Sequence, residues 1–294
     1  MSAIQRAAHP AATSGWPGPA SSARPQGDGQ RWLSWAAGQG GEDAEDAAHP
    51  RGSAEPGAPR SARPGAWFER SQTTALEKAV LAATAAVGAL RDPTRADLVA
   101  ALGDTTSLAS LRMMRRRMLA DEVGREILAE QPVVKENIDL AALREMPAGS
   151  FGRAYAEFMD GYGFEPEGRP NVKYIDDPDD AYVMLRYREV HDFLHVLTGL
   201  GTSVEAEIIQ KWLELLQTGL PMTLLSATVG PLRLAGRDRR LLLTEWAPWA
   251  ARTAVQMPFF LNIYYERLFA HDLQQLRREL DIPPLPRSAP SWQK

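Results

Sequence analysis

The chain has 294 residues, a formal net charge of −4, five histidines and no cysteine. General nucleic-acid binding depends on basic side chains that neutralise phosphates, so the acidic balance argues against that class of function. The lack of cysteine excludes a disulfide framework, a thiolate zinc site and a cysteine nucleophile. Any metal bound by this chain must therefore be held by oxygen and imidazole nitrogen.

Residues 1–65 are rich in Ala, Gly, Pro and Ser, contain few aliphatic side chains and show no sustained periodicity. Such a stretch cannot bury enough apolar surface to fold, so we expect a disordered extension or a transit-like segment. No acid occurs before Asp28, and Arg6 and Arg24 add positive charge, as in organellar transit peptides. An acidic run that starts at Glu42 belongs to no such signal, so composition leaves a mitochondrial presequence and an uncleaved tail both open.

Beyond this extension, apolar residues recur at i, i+3 and i+4 between Pro, Gly or capping residues, which is the pattern of amphipathic helices. The predicted helices are 72–91, 94–102, 107–131, 151–162, 179–197, 203–218, 239–257 and 261–280. No convincing alternating strand is present, and the longest apolar stretches fall short of the ~20 residues that span a bilayer. We therefore expect an all-α fold, with residues 66–294 forming a single helical domain.

The most informative motif is a histidine pair with two acids. His191 and His195 are spaced i, i+4, so a helix would place them on one face, a single turn apart. Asp192 lies beside them. Glu207 cannot join them from a continuous helix, because the twelve residues from His195 correspond to a rise of about 18 Å.

A turn between two helices would bring Glu207 back. Residues 198–201 contain two glycines that end the first helix, and residues 202–205 form a capping box that starts a second. Two helices that leave one tight loop can present all four side chains to one centre. Two neutral nitrogens and two carboxylates suit a divalent ion such as zinc, iron or manganese.

Other interpretations of the motif remain. A histidine pair at helical spacing is often two unrelated surface or core residues. The zinc-protease motif needs a glutamate directly after the first histidine, where this chain has Asp192. The phosphohydrolases named for a His-Asp pair need a further histidine upstream, and none lies between His49 and His191.

Two neighbouring features bear on a substrate. Residues 219–234 are apolar and rich in small side chains, and could be core, the wall of a hydrocarbon channel or a surface that dips into a bilayer. Arg186 and Arg188 could clamp a carboxylate or phosphate in bidentate fashion. The alternative is ion pairing with Glu189 or Asp192.

A family resemblance joins these motifs. Residues 182–192, His195, Glu207, residues 211–212 and residues 217–222 resemble the ubiquinone (coenzyme Q) biosynthesis Coq-four family, and similarity extends to residues 102–106, 230–234 and 261–267. The resemblance covers the chain from about residue 74 to residue 284 and shows no departure from the metal motif.

What the resemblance implies is an all-helical, peripheral protein on the matrix face of the mitochondrial inner membrane, within a complex of coenzyme Q biosynthesis proteins. The family binds a metal, usually taken as Zn²⁺, through residues matching His191, Asp192, His195 and Glu207. It is credited with removing the C1 carboxylate of a polyprenylated 4-hydroxy-3-methoxybenzoate, a carbon–carbon lyase (decarboxylase) reaction that could be coupled to hydroxylation. A scaffold or a prenyl-lipid carrier for that complex is the alternative.

Candidate catalytic residues follow from this reading. Tyr187, Arg188 and Lys211 are candidates for protonating the substrate, and the polyprenyl tail would lie along residues 219–234. The sequence does not set the oligomeric state, and a homodimer is compatible with it.

Overall fold

The structure is a computed structural model that describes residues 68, 71, 73–91, 95–165, 171–288 and 292. The predicted extension 1–65 lies outside the described residues. The helices are α1 (Ala75–Arg91), α2 (Ala96–Thr106), α3 (Leu108–Leu119), α4 (Glu122–Glu130), α5 (Val134–Asn137), α6 (Leu140–Arg144), α7 (Phe151–Tyr162), α8 (Pro178–Thr198), α9 (Val204–Thr218), α10 (Pro221–Val229), α11 (Gly236–Leu241), α12 (Ala247–Gln256) and α13 (Leu273–Glu279). Within the described ranges no strand forms, and two isolated bridges join Phe68 to Val172 and Ser150 to Asp272. The predicted all-α architecture is confirmed for this part of the chain.

Helix α8 is the centre of the molecule, since every side chain from Asp180 to Thr198 is buried. The Asp177 side chain accepts hydrogen bonds from the first backbone N–H groups, and Pro178 occupies the first turn, where its missing N–H costs nothing. Gly199 ends the helix with a left-handed φ of 76°, a conformation that glycine adopts without strain. The ends predicted from sequence were therefore right to within a residue.

The buried length of α8 is rich in charge, and its charges have partners from neighbouring segments. Arg186 forms an ion pair with Glu266 and donates to the carbonyl of Ile263 at 3.0 Å. Glu189 accepts a hydrogen bond from the backbone N–H of Val134 at 2.9 Å. A buried charge without a partner is costly, so these pairs fix how α8 packs against the surrounding segments.

Helix α9 is buried on two faces. Leu213 packs into the main core with α8, whereas Ile208 joins a second cluster with Trp246 and Trp249. The Ser203 side chain caps the helix by accepting from the backbone N–H of Ala206 at 3.2 Å, one residue later than the predicted capping box 202–205 would place the cap. This double packing holds α9 firmly beside α8.

Two helix predictions need correction. The predicted helix 107–131 is broken between α3 and α4, because the side chain of Asp121 accepts from the backbone N–H of Gly124 at 2.9 Å and starts a new helix. The apolar periodicity continues across this break, so periodicity alone could not reveal it.

The predicted helix 261–280 is helical only in α13. Its first part forms two short 3₁₀ turns, Phe260–Asn262 and Tyr265–Arg267. The carbonyls of Phe269 and His271 then accept hydrogen bonds from the backbone N–H groups at the start of α7, both at 2.8 Å. Tertiary pairing has replaced the intrahelical bonds that the apolar spacing suggested.

Candidate metal centre

Helices α8 and α9 bring His191, His195 and Glu207 together. The Nε2 atoms of the two histidines lie 3.3 Å apart. The carboxylate oxygens of Glu207 lie 3.2 Å from Nε2 of His195 and 3.7 Å from Nε2 of His191. One ligand atom from each residue falls within 4.8 Å of the others, so the three side chains could hold one metal ion.

Asp192 was predicted as a fourth ligand. It is buried on α8, next to His191. Among the described residues, the group of converging ligand atoms contains His191, His195 and Glu207 without Asp192. Its part in metal binding stays a prediction.

The electrostatics of the cluster favour an ionised carboxylate between imidazoles. Burial alone would raise the pKa of Glu207, but hydrogen bonds and charge from His191 and His195 hold that pKa well below its ordinary value. Burial and Lys211 lower the pKa of His191, whereas Glu214 and Glu207 raise it, and the net pKa shift is upward. The surrounding carboxylates therefore favour a positive charge in this cluster, whether on a protonated His191 or on a metal ion.

A second carboxylate, Glu214, lies behind His191 and was missed from the sequence. Its Oε1 is 2.5 Å from Nδ1 of His191, and its Oε2 accepts hydrogen bonds from Tyr187 Oη at 2.5 Å and Lys211 Nζ at 2.8 Å. Glu214 follows Glu207 by seven residues, two turns along α9, and this spacing was the signal available. Two of the candidate catalytic residues, Tyr187 and Lys211, thus belong to the surroundings of His191.

The third candidate, Arg188, lies elsewhere. Its Nη2 is 2.5 Å from Oδ1 of Asp104 and 3.0 Å from the carbonyl of Ala100, and its Nη1 donates to the carbonyl of Asn171 at 3.3 Å. Asp104 also accepts from the backbone N–H of Lys173 at 2.9 Å. Ion pairing was an alternative foreseen for Arg188, but the partner in this pair comes from α2.

An aromatic stack covers one side of the cluster. The Phe158 ring lies against the His195 ring with centroids 5.4 Å apart, and Phe164 follows at 6.2 Å from Phe158. Phe164 is exposed and, with Met159, lines a surface cavity of about 740 Å³. Aromatic side chains therefore lead from His195 to the protein surface.

The apolar segment 219–234 forms α10 and a following 3₁₀ turn. Leu220 and Met222 are buried, whereas Leu224 and Leu232 are 50% and 70% exposed. The segment thus serves partly as core and partly as surface. None of the helices in the described part of the chain is both long and apolar enough to cross a membrane.

Fold and site together define a class: a helical protein in which two buried imidazoles and a partly exposed carboxylate, which could hold a metal ion, converge where two helices meet. Residues 68–286 match the family described as coenzyme Q (ubiquinone) biosynthesis protein Coq4, and the chain belongs to this family. The family predicted from the sequence is therefore confirmed.

Individual relatives agree with this assignment. A bovine (Bos taurus) protein named ubiquinone biosynthesis protein COQ4 homolog, mitochondrial, is 46% identical over 220 residues, which cover 74% of this chain and 83% of the relative. The human (Homo sapiens) protein of the same name is 44% identical over 216 residues, covering 72% and 82% of the two chains. A crystal structure of a Nostoc punctiforme protein with a suggested role in ubiquinone biosynthesis shares the fold, with a TM-score of 0.58, 19% identity, and coverage of 69% of this chain and 98% of that one.

Proposed function

We propose that this chain is a metal-dependent enzyme of ubiquinone biosynthesis that removes the C1 carboxylate of a polyprenylated 4-hydroxy-3-methoxybenzoate. The observation that carries the proposal is the convergence of His191, His195 and Glu207 within 4.8 Å, in a chain that belongs to a ubiquinone biosynthesis family. Asp192 completes the proposed ligand set.

The donor atoms fit a divalent ion. Two imidazole nitrogens and a glutamate form the ligand set of several catalytic zinc sites, and Zn²⁺ is the metal we propose. A set of two histidines and one carboxylate also suits iron, so the experiment below compares metals. When bound, the ion would supply Lewis acidity toward a carboxylate or phenolate oxygen of the substrate.

The three proposed ligands differ in solvent exposure, and substrate would enter from the side of the most exposed one. The Glu207 side chain is 37% exposed, against 11% for His191 and 1% for His195. The head group therefore approaches along Glu207, while the Phe158 ring shields His195 from water. In the reaction the bond from C1 to the carboxyl carbon breaks, its electron pair stays on C1, and one proton replaces the released carbon dioxide.

The proton source is proposed among Tyr187, Lys211 and Arg188. Lys211 has the strongest support, because its side chain is 21% exposed and because its ammonium contacts both Glu214 and Tyr187. Arg188 has the weakest, because its guanidinium is engaged by Asp104. A series of Tyr187→Phe, Lys211→Met and Arg188→Lys in which turnover stays unchanged would remove all three.

The names of the relatives support a mitochondrial location for this chain as well. We propose peripheral attachment to the matrix side of the inner membrane, as part of a complex with other proteins of the pathway. The exposed Leu224 and Leu232 would meet the lipid or the polyprenyl tail.

A scaffold function is the second candidate. The observation that favours it is the apolar surface of α1, where Leu76, Val80 and Val87 are all exposed and available to a partner protein. In a scaffold, a bound metal ion would have a structural role only and would hold α8 against α9.

The deciding experiment incubates the full chain with a short-chain prenylated 4-hydroxy-3-methoxybenzoate and follows products by mass spectrometry. Turnover that stops on chelation and returns with one metal would identify an enzyme and its ion. A product with hydrogen at C1 indicates simple decarboxylation, whereas a hydroxyl there requires dioxygen and a two-electron donor.

Variants separate the two candidate functions. Glu207→Gln should abolish product while the protein still folds, and the matched control Glu205→Gln, in the same first turn of α9, should retain it. A Glu207→Gln protein that sustains ubiquinone formation in cells would instead support the scaffold.

A further inference from the structure

We propose that Glu214 is a positioning residue for the ligand His191. In the neutral ring Glu214 accepts the hydrogen on Nδ1 and so leaves Nε2 as the unprotonated nitrogen directed at Glu207 and His195. The inference rests on the proposed function only in taking the cluster to be a metal site.

The short contact between Glu214 and His191 carries the argument. Oε1 of Glu214 lies 2.5 Å from Nδ1 of His191, and both side chains are buried. A carboxylate oxygen and an unprotonated ring nitrogen are both acceptors and would repel at this distance, so a hydrogen lies between them. A neutral imidazole with its hydrogen on Nδ1 has its free lone pair on Nε2.

Two other donors approach Nδ1, but each has a better acceptor. Gln210 Nε2 lies 3.1 Å from Nδ1 and donates to the backbone carbonyl of His191 at 2.9 Å. Lys211 Nζ lies 3.2 Å from Nδ1 and donates to Oε2 of Glu214 at 2.8 Å. Neither donor needs Nδ1 as an acceptor, so the hydrogen-bond network selects one tautomer.

Glu214 is itself held in place. Its Oε2 accepts from Tyr187 and Lys211, so both oxygens are engaged and the carboxylate cannot rotate away from His191. The Lys211 ammonium at Oε2 favours the ionised form of this carboxyl group. At His195 the corresponding acceptor of Nδ1 is the backbone carbonyl of Leu200, at 3.3 Å.

Carboxylates that orient a ligand histidine tune metal binding, and their loss typically lowers metal affinity about 10- to 100-fold. The test uses the full chain as wild type, Glu214→Ala and Glu214→Gln, with Zn²⁺ affinity measured by chelator competition. We expect Glu214→Ala to bind Zn²⁺ about 10- to 100-fold more weakly. Glu214→Gln, which keeps an acceptor of the same shape, should lose less.

A second measurement reports the tautomer without any metal. Nitrogen-15 NMR of histidine-labelled apoprotein, at a pH where both rings are neutral, should show hydrogen on Nδ1 of His191 in the wild type and in Glu214→Gln. In Glu214→Ala a substantial fraction should shift to Nε2. A general loss of core packing would not produce this change.

The control variant is Glu189→Gln. Glu189 is a buried carboxylate on α8 that accepts hydrogen bonds from backbone N–H groups and does not contact His191. The Zn²⁺ affinity of this variant should stay within about twofold of wild type, far from the loss typical of an orienting carboxylate. The proposal is overturned if Glu214→Ala binds as wild type does, if Glu189→Gln loses as much, or if wild-type His191 carries its hydrogen on Nε2. If wild type binds no divalent metal, the proposed function fails, and the tautomer alone decides the role of Glu214.

Discussion

At the scale of single residues, His191 contacts both carboxylates of the candidate site. Its Nδ1 faces Glu214 and its Nε2 faces Glu207, so one ring lies between two carboxylates. Such a ring is stabilised in its protonated form, and a metal ion would have to displace that proton. Binding of a metal ion by this cluster would therefore release a proton.

The first prediction concerns this coupling. Because the pKa of His191 is raised, the ring is protonated below the raised pKa and neutral above it. Metal affinity should therefore fall as the pH decreases through that raised pKa, with losses that begin above the ordinary histidine value of about 6.5. Calorimetry of Zn²⁺ binding in buffers of different ionisation enthalpy would count the protons released.

The same titration at alkaline pH serves as the control, since a ring that is already neutral has no proton to release. Proton release that is absent near neutral pH would show that His191 is neutral before the metal binds.

At the scale of secondary-structure elements, the turn between α8 and α9 positions the ligands, and its conformation depends on Gly199. The φ of 76° is left-handed, and a Cβ added there would lie 3.2 Å from Nη2 of Arg277. We expect Gly199→Ala to lower the free energy of unfolding by about 1–2 kcal/mol and to weaken metal binding, because His195 and Glu207 flank this turn.

Gly163→Ala is the matched control, with a φ of 66° and no atom within 4 Å of its added Cβ. Gly163→Ala should lower the free energy of unfolding, because alanine is strained at a left-handed φ, and should leave metal affinity unchanged. Urea unfolding measures the change in stability of both variants, and chelator competition measures their change in metal affinity. An equal loss of metal affinity in both variants would show that the turn at Gly199 does not align the proposed ligands.

The ion pair between Arg188 and Asp104 gives another prediction at this scale. Removing one member of a buried pair leaves an uncompensated charge, so Arg188→Met should cost about 3–5 kcal/mol of stability. Zn²⁺ affinity should not change, since the pair contacts none of the three clustered ligands. Denaturant unfolding with chelator competition would test both parts.

The exposed pair of Arg95 and Asp97 provides the comparison. Their side chains are 55% and 60% exposed, so solvent screens the pair and Asp97→Asn should leave stability nearly unchanged. If Arg188→Met were equally mild, the guanidinium would not be a structural anchor and would return as a candidate for substrate binding.

Local signals in the sequence were enough to predict α8, α9 and the turn between them, because capping residues and glycines act within a few residues of each other. They could not predict that Arg188 would pair with Asp104, 84 residues away. Glu214 was missed for the same reason: its contact with His191 depends on how α9 is rotated against α8, which the whole core decides. The prediction of a helix over 261–280 was wrong for its first part, because hydrogen bonds to the start of α7 replace the helical bonds that the apolar spacing suggested.

At the scale of the whole molecule, the 3₁₀ turn that follows α10 contacts the C-terminal end of α1. Arg233, just after α10, donates a hydrogen bond to the carbonyl of Leu90 at the end of α1. Leu232, directly before Arg233, is exposed, and so is Val87, three residues before Leu90. Exposed apolar side chains at these positions are compatible with the membrane attachment proposed above, since apolar patches commonly mark interaction sites.

The last prediction tests that attachment. Leu224 is 50% exposed, whereas Leu225 packs against the main core, so only the first can be changed without disturbing the fold. Leu224→Glu should reduce co-sedimentation with phosphatidylcholine vesicles that contain an anionic phospholipid, and leave Zn²⁺ affinity and thermal stability unchanged. Val255→Glu, at a 76% exposed position on α12, is the control and should bind vesicles as wild type does. Equal binding by wild type and Leu224→Glu would assign this leucine to a protein partner or to the polyprenyl tail, because an added charge at a lipid-facing position must weaken membrane binding.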